Sequence, residues 1–331
     1  MGERHMIRKL SVVAAAAIAV VLGSGLAASA QTKLRLAVET TGRDPTNVML
    51  GTFRDELKVL AGDDVAMDYF EGGALGDEGA LAELIRAGQV EIVSMGSDIV
   101  SLDSKFAVFD MPFMFPDKSK ARAAMDGELG EMLATSLRET TGLQVIGYGE
   151  LGFRVISNNV RPINKPEDLR GLKLRTPSNQ GRILAFQTLG AAPTPMPLGE
   201  AYVALRQGAL DGQENPMSVI KEFSLFEVQK YVSITNHVYT PITLTMNGRA
   251  WDALTPELQA KLKQAAKKAG EATRVQSDES DAKLIDEFKA AGVEVNMVDA
   301  AAFAAAAAPI AEKLASVVTP EFMAKALEMT K

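Results

Sequence analysis

Histidine and cysteine set the first limits on chemistry. The chain has 331 residues, two histidines and no cysteine, and beyond residue 30 the only histidine is His237. Thiol catalysis and thiolate metal ligation are out. A His-rich zinc site cannot be assembled, and a Ser-His-Asp triad would have to use His237. No P-loop, G-x-S-x-G or H-E-x-x-H stretch occurs. Gly147-Tyr148-Gly149-Glu150-Leu151-Gly152 matches G-x-G-x-x-G, follows a strand-like run and has Asp168 at a plausible distance for a ribose. What comes next is FRVISNN, β-rich and then turn-rich, whereas the dinucleotide fingerprint needs a helix opening at its end. A crossing strand with flexible glycines fits better, and no cofactor or metal is expected.

Five polar residues fall instead where open α/β sheets bind ligands, at or near the carboxyl ends of strands. Glu39 follows the first strand. Asp98 follows the strand at residues 90–95 through Gly96. Arg154 lies just after the glycine-rich turn, Arg175 ends the strand of GLKLRTPSN, and Asn215 lies near the end of GALDGQENP, where Ala209-Leu210 reads as a short strand. Each has a bland alternative. Glu39 could be an exposed loop acid, Asp98 an N-cap for IVSLDSK and Asn215 a turn residue before Pro216. Arg154 could pair with an acid on a sheet face, and Arg175 could be a solvated charge on the polar side of an alternating strand. One local feature favours a site at Arg175. Ser178 and Asn179 are N-cap candidates for the helix QGRILAFQTLG, so the arginine stands beside a helix N-terminus, which also attracts anions. Its planar fork suits bidentate carboxylate recognition.

The elements that must hold these residues alternate. Residues 33–38 (KLRLAV) form a first strand, 46–60 a helix and 65–69 the next strand. Asp77 caps a helix whose apolar stripe is Leu81, Leu84 and Ile85 and which Gly88 stops. The alternation continues to about residue 240 and predicts α/β layers with largely parallel strands. Thr255 and Pro256 then open a run of helix formers that Gly292 stops. Unbroken, it would be about 55 Å long at about 1.5 Å per residue, more than one small domain spans. The Ala-rich run at residues 300–308 predicts a packed surface helix rather than a linker.

Residues 1–30 have the make-up of a secretory signal peptide. A basic start (Arg4, Arg8, Lys9) precedes an apolar run at residues 10–22 and a small-residue site, Ala28-Ser29-Ala30. The run is short for a membrane span. Cleavage would leave about 300 residues, a length that suggests two domains. The formal net charge is −7, and nothing points to nucleic acid, whose partners usually show a basic face.

Several stretches resemble the solute-binding subunits of tripartite ATP-independent periplasmic (TRAP) transporters, the DctP family. They are GALGDEGALAELIRAGQVEI, FDMPFMF, GFRVISN, DLRGLKLRTP, LGAAPTPMPLGEAYVALRQGALDGQENP and FEVQKYVSITNH. They cover nearly the whole chain after residue 30. The resemblance implies an α/β, two-domain periplasmic-binding-protein-like fold (type II-like), with crossing strands and a long helix spanning both domains. The domains would be residues 31–151 plus about 241–280, and 152–240 plus about 281–331. It implies a monomeric periplasmic binder with no chemistry, which captures a small organic acid in the interdomain cleft and delivers it to two integral membrane subunits.

By the same resemblance the arginine of the K-L-R-T-P-like stretch, Arg175, pairs with the ligand carboxylate. Arg154 and Asn215 correspond to the arginine of G-F-R and the asparagine of G-Q-E-N-P, and Glu39 is placed at the cleft. Sialic-acid-binding members carry a supporting arginine about where this chain has Asp98, which argues against sialic acid. Glu39 and Asp98 would suit hydroxyls or an amine and would repel a second carboxylate. A hydroxylated or sugar acid therefore fits at least as well as a C4-dicarboxylate. Rival readings are an exported ligand-binding sensor and an exported α/β hydrolase. A binding protein for an ATP-driven transporter is a further rival, against which the long helix argues.

Overall fold

The computed structural model describes residues 31–330, and the expected signal peptide lies outside the described residues. The chain runs β1 (Thr32–Ala37), α1 (Pro45–Ala61), β2 (Val65–Phe70), α2 (Glu78–Ala87), β3 (Ile92–Met95), α3 (Lys118–Asp126), α4 (Glu128–Thr141), β4 (Gln144–Phe153) and β5 (Val155–Asn158). It continues with β6 (Lys173–Thr176), α5 (Gln180–Thr188), β7 (Ala192–Pro195), α6 (Leu198–Arg206), β8 (Gly212–Asn215), α7 (Met217–Glu222), β9 (Tyr231–Ile234) and β10 (Tyr239–Met246). It closes with α8 (Gly248–Asp252), α9 (Pro256–Ala290), β11 (Glu294–Met297), α10 (Ala300–Val318) and α11 (Pro320–Glu328). Two 3-10 stretches, Ser97–Ser101 and Ser104–Asp110, follow β3.

The caps explain several boundaries. Asp77 accepts the Ala80 N–H at the start of α2, and Gly88 ends it at φ 71°. Asn179 accepts the Arg182 N–H at the start of α5. Thr255 accepts the Leu258 N–H at the start of α9, with Pro256 at its first position. Each satisfies a backbone donor that the helix leaves unpaired.

The strands form two sheets, ordered β2-β1-β3-β10-β4 and β11-β9-β5-β8-β6-β7. They are mixed, not largely parallel. β10 is antiparallel to both β3 and β4, and β5 is antiparallel to both β8 and β9. The cause is the crossing chain. β4 runs on into β5 from the first sheet to the second, and β9 returns through residues 235–238 to β10. Each sheet thus receives a strand arriving from the other.

The Gly147–Gly152 stretch lies inside β4 and is not a turn. Its glycines allow α9 to lie directly on the strand. A Cβ on Gly147 would stand 2.8 Å from the Ala266 Cβ, and one on Gly270 would stand 2.2 Å from the Tyr148 carbonyl oxygen. At about 52 Å, α9 reaches two separate cores. Leu258, Leu262, Ala265 and Ala269 pack with α1 and β10, while Leu284 and Phe288 pack with Val232 and Leu205. By length and composition α10 could cross a membrane. Its larger residues Phe303, Ile310, Leu314 and Val318 are buried, in one cluster with Phe109 and Phe186.

Candidate functional site

β6 presents Arg175. Lys173 is exposed and Leu174 is buried, yet Arg175 is only 3 % exposed, so it is not a solvated charge. Its Nε–H donates to the Met196 carbonyl at 2.8 Å. That is the one hydrogen bond its guanidinium makes among the described residues, and the residue lines a cleft. Burial, then repulsion by Arg154, lowers its pKa to about 10, which leaves it charged at neutral pH.

Arg154 stands between β4 and β5, where the two crossing segments pair. Its N–H donates to the Val238 carbonyl at 2.9 Å, and its carbonyl accepts the His237 N–H at 3.3 Å. Its Nε–H donates to Glu214 Oε2 at 2.5 Å, and its Nη2 donates to Glu214 Oε1 at 3.0 Å and to Asn215 Oδ1 at 2.8 Å. Asn215 is the last residue of β8, while Ala209-Leu210 precede the strand as a turn. The Asn215 amide Nδ2–H donates to Gln213 Oε1 at 2.6 Å.

Behind these residues is a buried charge network that the sequence had not revealed. Glu214 Oε2 also accepts from Arg182 Nη1 at 2.7 Å and lies 3.2 Å from His237 Nε2. Arg182 Nε–H donates to Asp110 Oδ1 at 3.0 Å. Burial alone would raise the Glu214 pKa, but Arg154 and Arg182 hold it far below the carboxylate range. Burial raises Asp110 to about 6 against the pull of Arg182, and burial lowers His237. Thr235 Oγ1 lies 2.8 Å from His237 Nδ1. All of these side chains are buried, and His237 does not line the cleft. The one available hint was Asp110 itself, a lone charge in the apolar run FDMPFMF that demands a buried partner.

The opposite wall is acidic. Glu39, two residues beyond β1, accepts the Glu78 N–H on Oε2 at 3.1 Å, at the first turn of α2. Glu78 accepts the Gly96 N–H at 2.6 Å and the Asp98 N–H at 3.0 Å, tying α2 to the loop after β3. Asp98 is not the cap of its segment; it lies inside the Ser97–Ser101 turn, and its Oδ1 is buried without a hydrogen-bond partner. Burial is the largest cause raising all three acids. Glu39 reaches about 7, with Asp98 adding and Arg175 opposing. Glu78 is pushed well up, with Asp98 and Glu39 adding, while Arg175 opposes the rise of Asp98.

All five sequence candidates, Glu39, Asp98, Arg154, Arg175 and Asn215, line this one cleft. Leu151, Pro177, Pro197, Leu198 and Val219 supply apolar wall, and no aromatic side chain lines it. Glu39, Thr40, Asp77 and Pro197 continue into a wider mouth between Gly72–Gly73 and Gly199–Glu200. Glu78 and Asp44 line the cleft too and were not foreseen from the sequence; Asp44 also accepts the Thr46 N–H at the start of α1.

A cleft that sets a buried guanidinium against polar acceptors is the layout of a binder of small acids, and comparison with known proteins agrees. The DctP family, described as bacterial extracellular solute-binding protein, family 7, matches residues 37–316. The chain belongs to this family. A relative in the same group is the 2,3-diketo-L-gulonate-binding periplasmic protein YiaO of Escherichia coli, 36 % identical over 263 residues, which are 79 % of this chain and 80 % of that protein. Among solved structures, the sugar acid binding protein DctPAm of Advenella mimigardefordensis, in complex with galactonate, superposes with a TM-score of 0.85 at 30 % identity, covering 90 % of this chain and 97 % of that one. A TRAP periplasmic solute-binding protein of Polaromonas, bound to D-erythronate, gives 0.85 at 32 % identity over 89 % and 98 % of the two chains. The protein is thus a TRAP-type solute-binding protein with the two-sheet α/β fold and long helix of that group. DctP relatives are periplasmic ligand-binding transport proteins.

Proposed function

We propose that this protein captures a hydroxylated monocarboxylic acid of the sugar-acid class and delivers it to the small and large membrane subunits of a TRAP transporter, without chemistry on the ligand. The carboxylate meets the terminal nitrogens of Arg175. Arg154 and Asn215, already tied to each other, present their remaining polar edges beside it. The ligand hydroxyls turn to the wall of Glu39 and Asp98. The observation that carries this reading is Arg175, 3 % exposed on the cleft with only its Nε–H satisfied among the described residues.

The acidic wall sets the selectivity. A second bare carboxylate at the far end of the ligand would stand against Glu39 and Asp98 without a matching cation. Among the described residues the cleft itself offers an aromatic acid no ring to stack on, and Phe223 stands only in its mouth. Galactonate, D-erythronate and diketogulonate, bound by the relatives, share one carboxylate and several oxygens. The two sheets, roughly residues 31–151 with 241–280 and 152–240 with 281–331, act as the bodies that close on the ligand, with Arg154 at their crossing. Periplasmic location after cleavage near Ala30 and a monomeric state complete the proposal.

A thermal-shift screen of aldonates, uronates, C4-dicarboxylates and aromatic acids tests it. The expected result is a rise in melting temperature with aldonates or uronates. Stabilisation by succinate or malate alone would overturn the assignment.

A further inference from the structure

The cleft holds more carboxyl groups than its cations can balance. Glu39, Glu78 and Asp98 face Arg175 across it, with Asp77 and Asp44 also on the lining. Arg154 is matched by Glu214, and Arg182 is shared between Glu214 and Asp110. Arg175 is therefore the cation that acts on the acidic wall without a carboxylate of its own. Two buried oxygens on the lining, Asp98 Oδ1 and Asp44 Oδ2, have no hydrogen-bond partner among the described residues, and Asp44 is 1 % exposed. Adding a ligand carboxylate to Arg175 neutralises the cation that favours ionised Glu39 and the largest of the three, with Arg154 and Arg182, that favour ionised Asp98. Closing the cleft removes water from them as well.

We propose that capture of the ligand anion takes up a proton from solvent, and that Glu39 receives it and becomes the hydrogen-bond donor that reads an oxygen of the ligand. This rests on the sugar-acid reading above. The balance is simple: one carboxylate, one solvated proton and one ligand anion give a neutral carboxylic acid and a bound anion. Glu39 suits the role by geometry. Its Oε2 is fixed by the Glu78 N–H, while Oε1 makes no hydrogen bond among the described residues and the residue lines the cleft. Glu78 is a poorer receiver, since both of its oxygens already accept backbone N–H groups. The groups that face Glu39 are Asp98, Asp77 and the Glu78 carboxyl, which favour the neutral acid, and Arg175 and the Glu78 N–H, which favour the carboxylate. Ligand binding cancels the Arg175 influence.

The sign follows by linkage. The ligand-free site loses the Glu39 proton near pH 7, and the bound site keeps it to higher pH. Between those two values the bound state carries more protons, so affinity falls as pH rises, by up to about tenfold per pH unit. Below that window affinity is flat, as long as the ligand stays ionised.

The test is calorimetric titration of the full mature protein with galactonate, glucuronate and D-erythronate at pH 6–9, each in buffers of low and high ionisation heat. The expected result is uptake of roughly half to one proton near pH 8, with affinity falling above pH 7. Glu39→Gln should abolish the uptake and flatten the profile, and should bind best relative to wild type at the highest pH. Buffer-independent heats with a flat wild-type profile overturn the proposal, and so does uptake that persists undiminished in Glu39→Gln. The wild-type measurement decides the first point even if the variant fails to fold. Absence of binding by all three acids overturns the sugar-acid reading and this proposal with it, whereas tight binding without proton uptake overturns this proposal alone.

Discussion

Replacing Arg175 with alanine removes the group on which the cleft is organised. The side chain is 3 % exposed, and its hydrogen bond to the protein goes to the Met196 carbonyl. On the proposed reading the rest of its donors serve the ligand carboxylate. One charge-assisted hydrogen bond contributes about 1.5–3 kcal/mol, and truncating one partner of a buried pair costs about 2–5 kcal/mol. At about 1.4 kcal/mol per tenfold, affinity should fall by about 30-fold to about 4,000-fold. Arg175→Lys should also fail, since a single ammonium cannot reproduce the fork that holds Met196 and a carboxylate together. The alanine variant also leaves the Met196 carbonyl unpartnered, for a stability loss of about 1–3 kcal/mol. Thermal denaturation should accompany the calorimetry, to show that the folded variant is what fails to bind. Near-wild-type affinity in either folded variant would refute the carboxylate assignment.

Other outcomes follow from the packing and the buried charges. Glu214→Gln leaves Arg154 and Arg182 buried with Asp110 alone, so unfolding free energy should drop by about 3–5 kcal/mol in denaturant titration. Because the folded pKa of Glu214 is depressed, its contribution is present above about pH 4.3 and is lost as pH falls below it. That acid-side slope should shrink in the variant. His237→Ala should lower the melting temperature yet leave affinity within about threefold, since His237 touches Glu214 and Thr235 and not the cleft; abolished binding would show that the histidine reaches the ligand. Gly270→Ala sets a Cβ 2.2 Å from the Tyr148 carbonyl oxygen, and the forced shift of α9 off β4 should cost about 1–3 kcal/mol or more.

Much of this was legible along the chain because its causes are local. The caps Asp77, Asn179 and Thr255 and the stops Gly88 and Gly292 mark helix ends within a few residues of where they fall. The failure of FRVISNN to open a helix correctly separated β4 from a cofactor loop. What was illegible depends on partners distant in the chain. Strand alternation left Arg175 undecided, and its burial is set by β7, β8 and Met196 packed beside it. Asp110, Arg182, Glu214 and His237 come from four different segments, and no spacing in the sequence shows that they meet. Glu78 looked like an ordinary first-turn acid of α2, and only the fold turns it against the Gly96 and Asp98 amides. The antiparallel insertion of β5 and β10 also escaped local pattern, because it is decided by where the chain crosses between sheets.

The most direct test of the central claim is a crystal structure of the protein purified with the acid it retains. The account predicts one ligand carboxylate within hydrogen-bond distance of the terminal nitrogens of Arg175, with hydroxyls on Glu39 and Asp98. A carboxylate seated against the acidic wall, or a ligand that leaves Arg175 untouched, would contradict it.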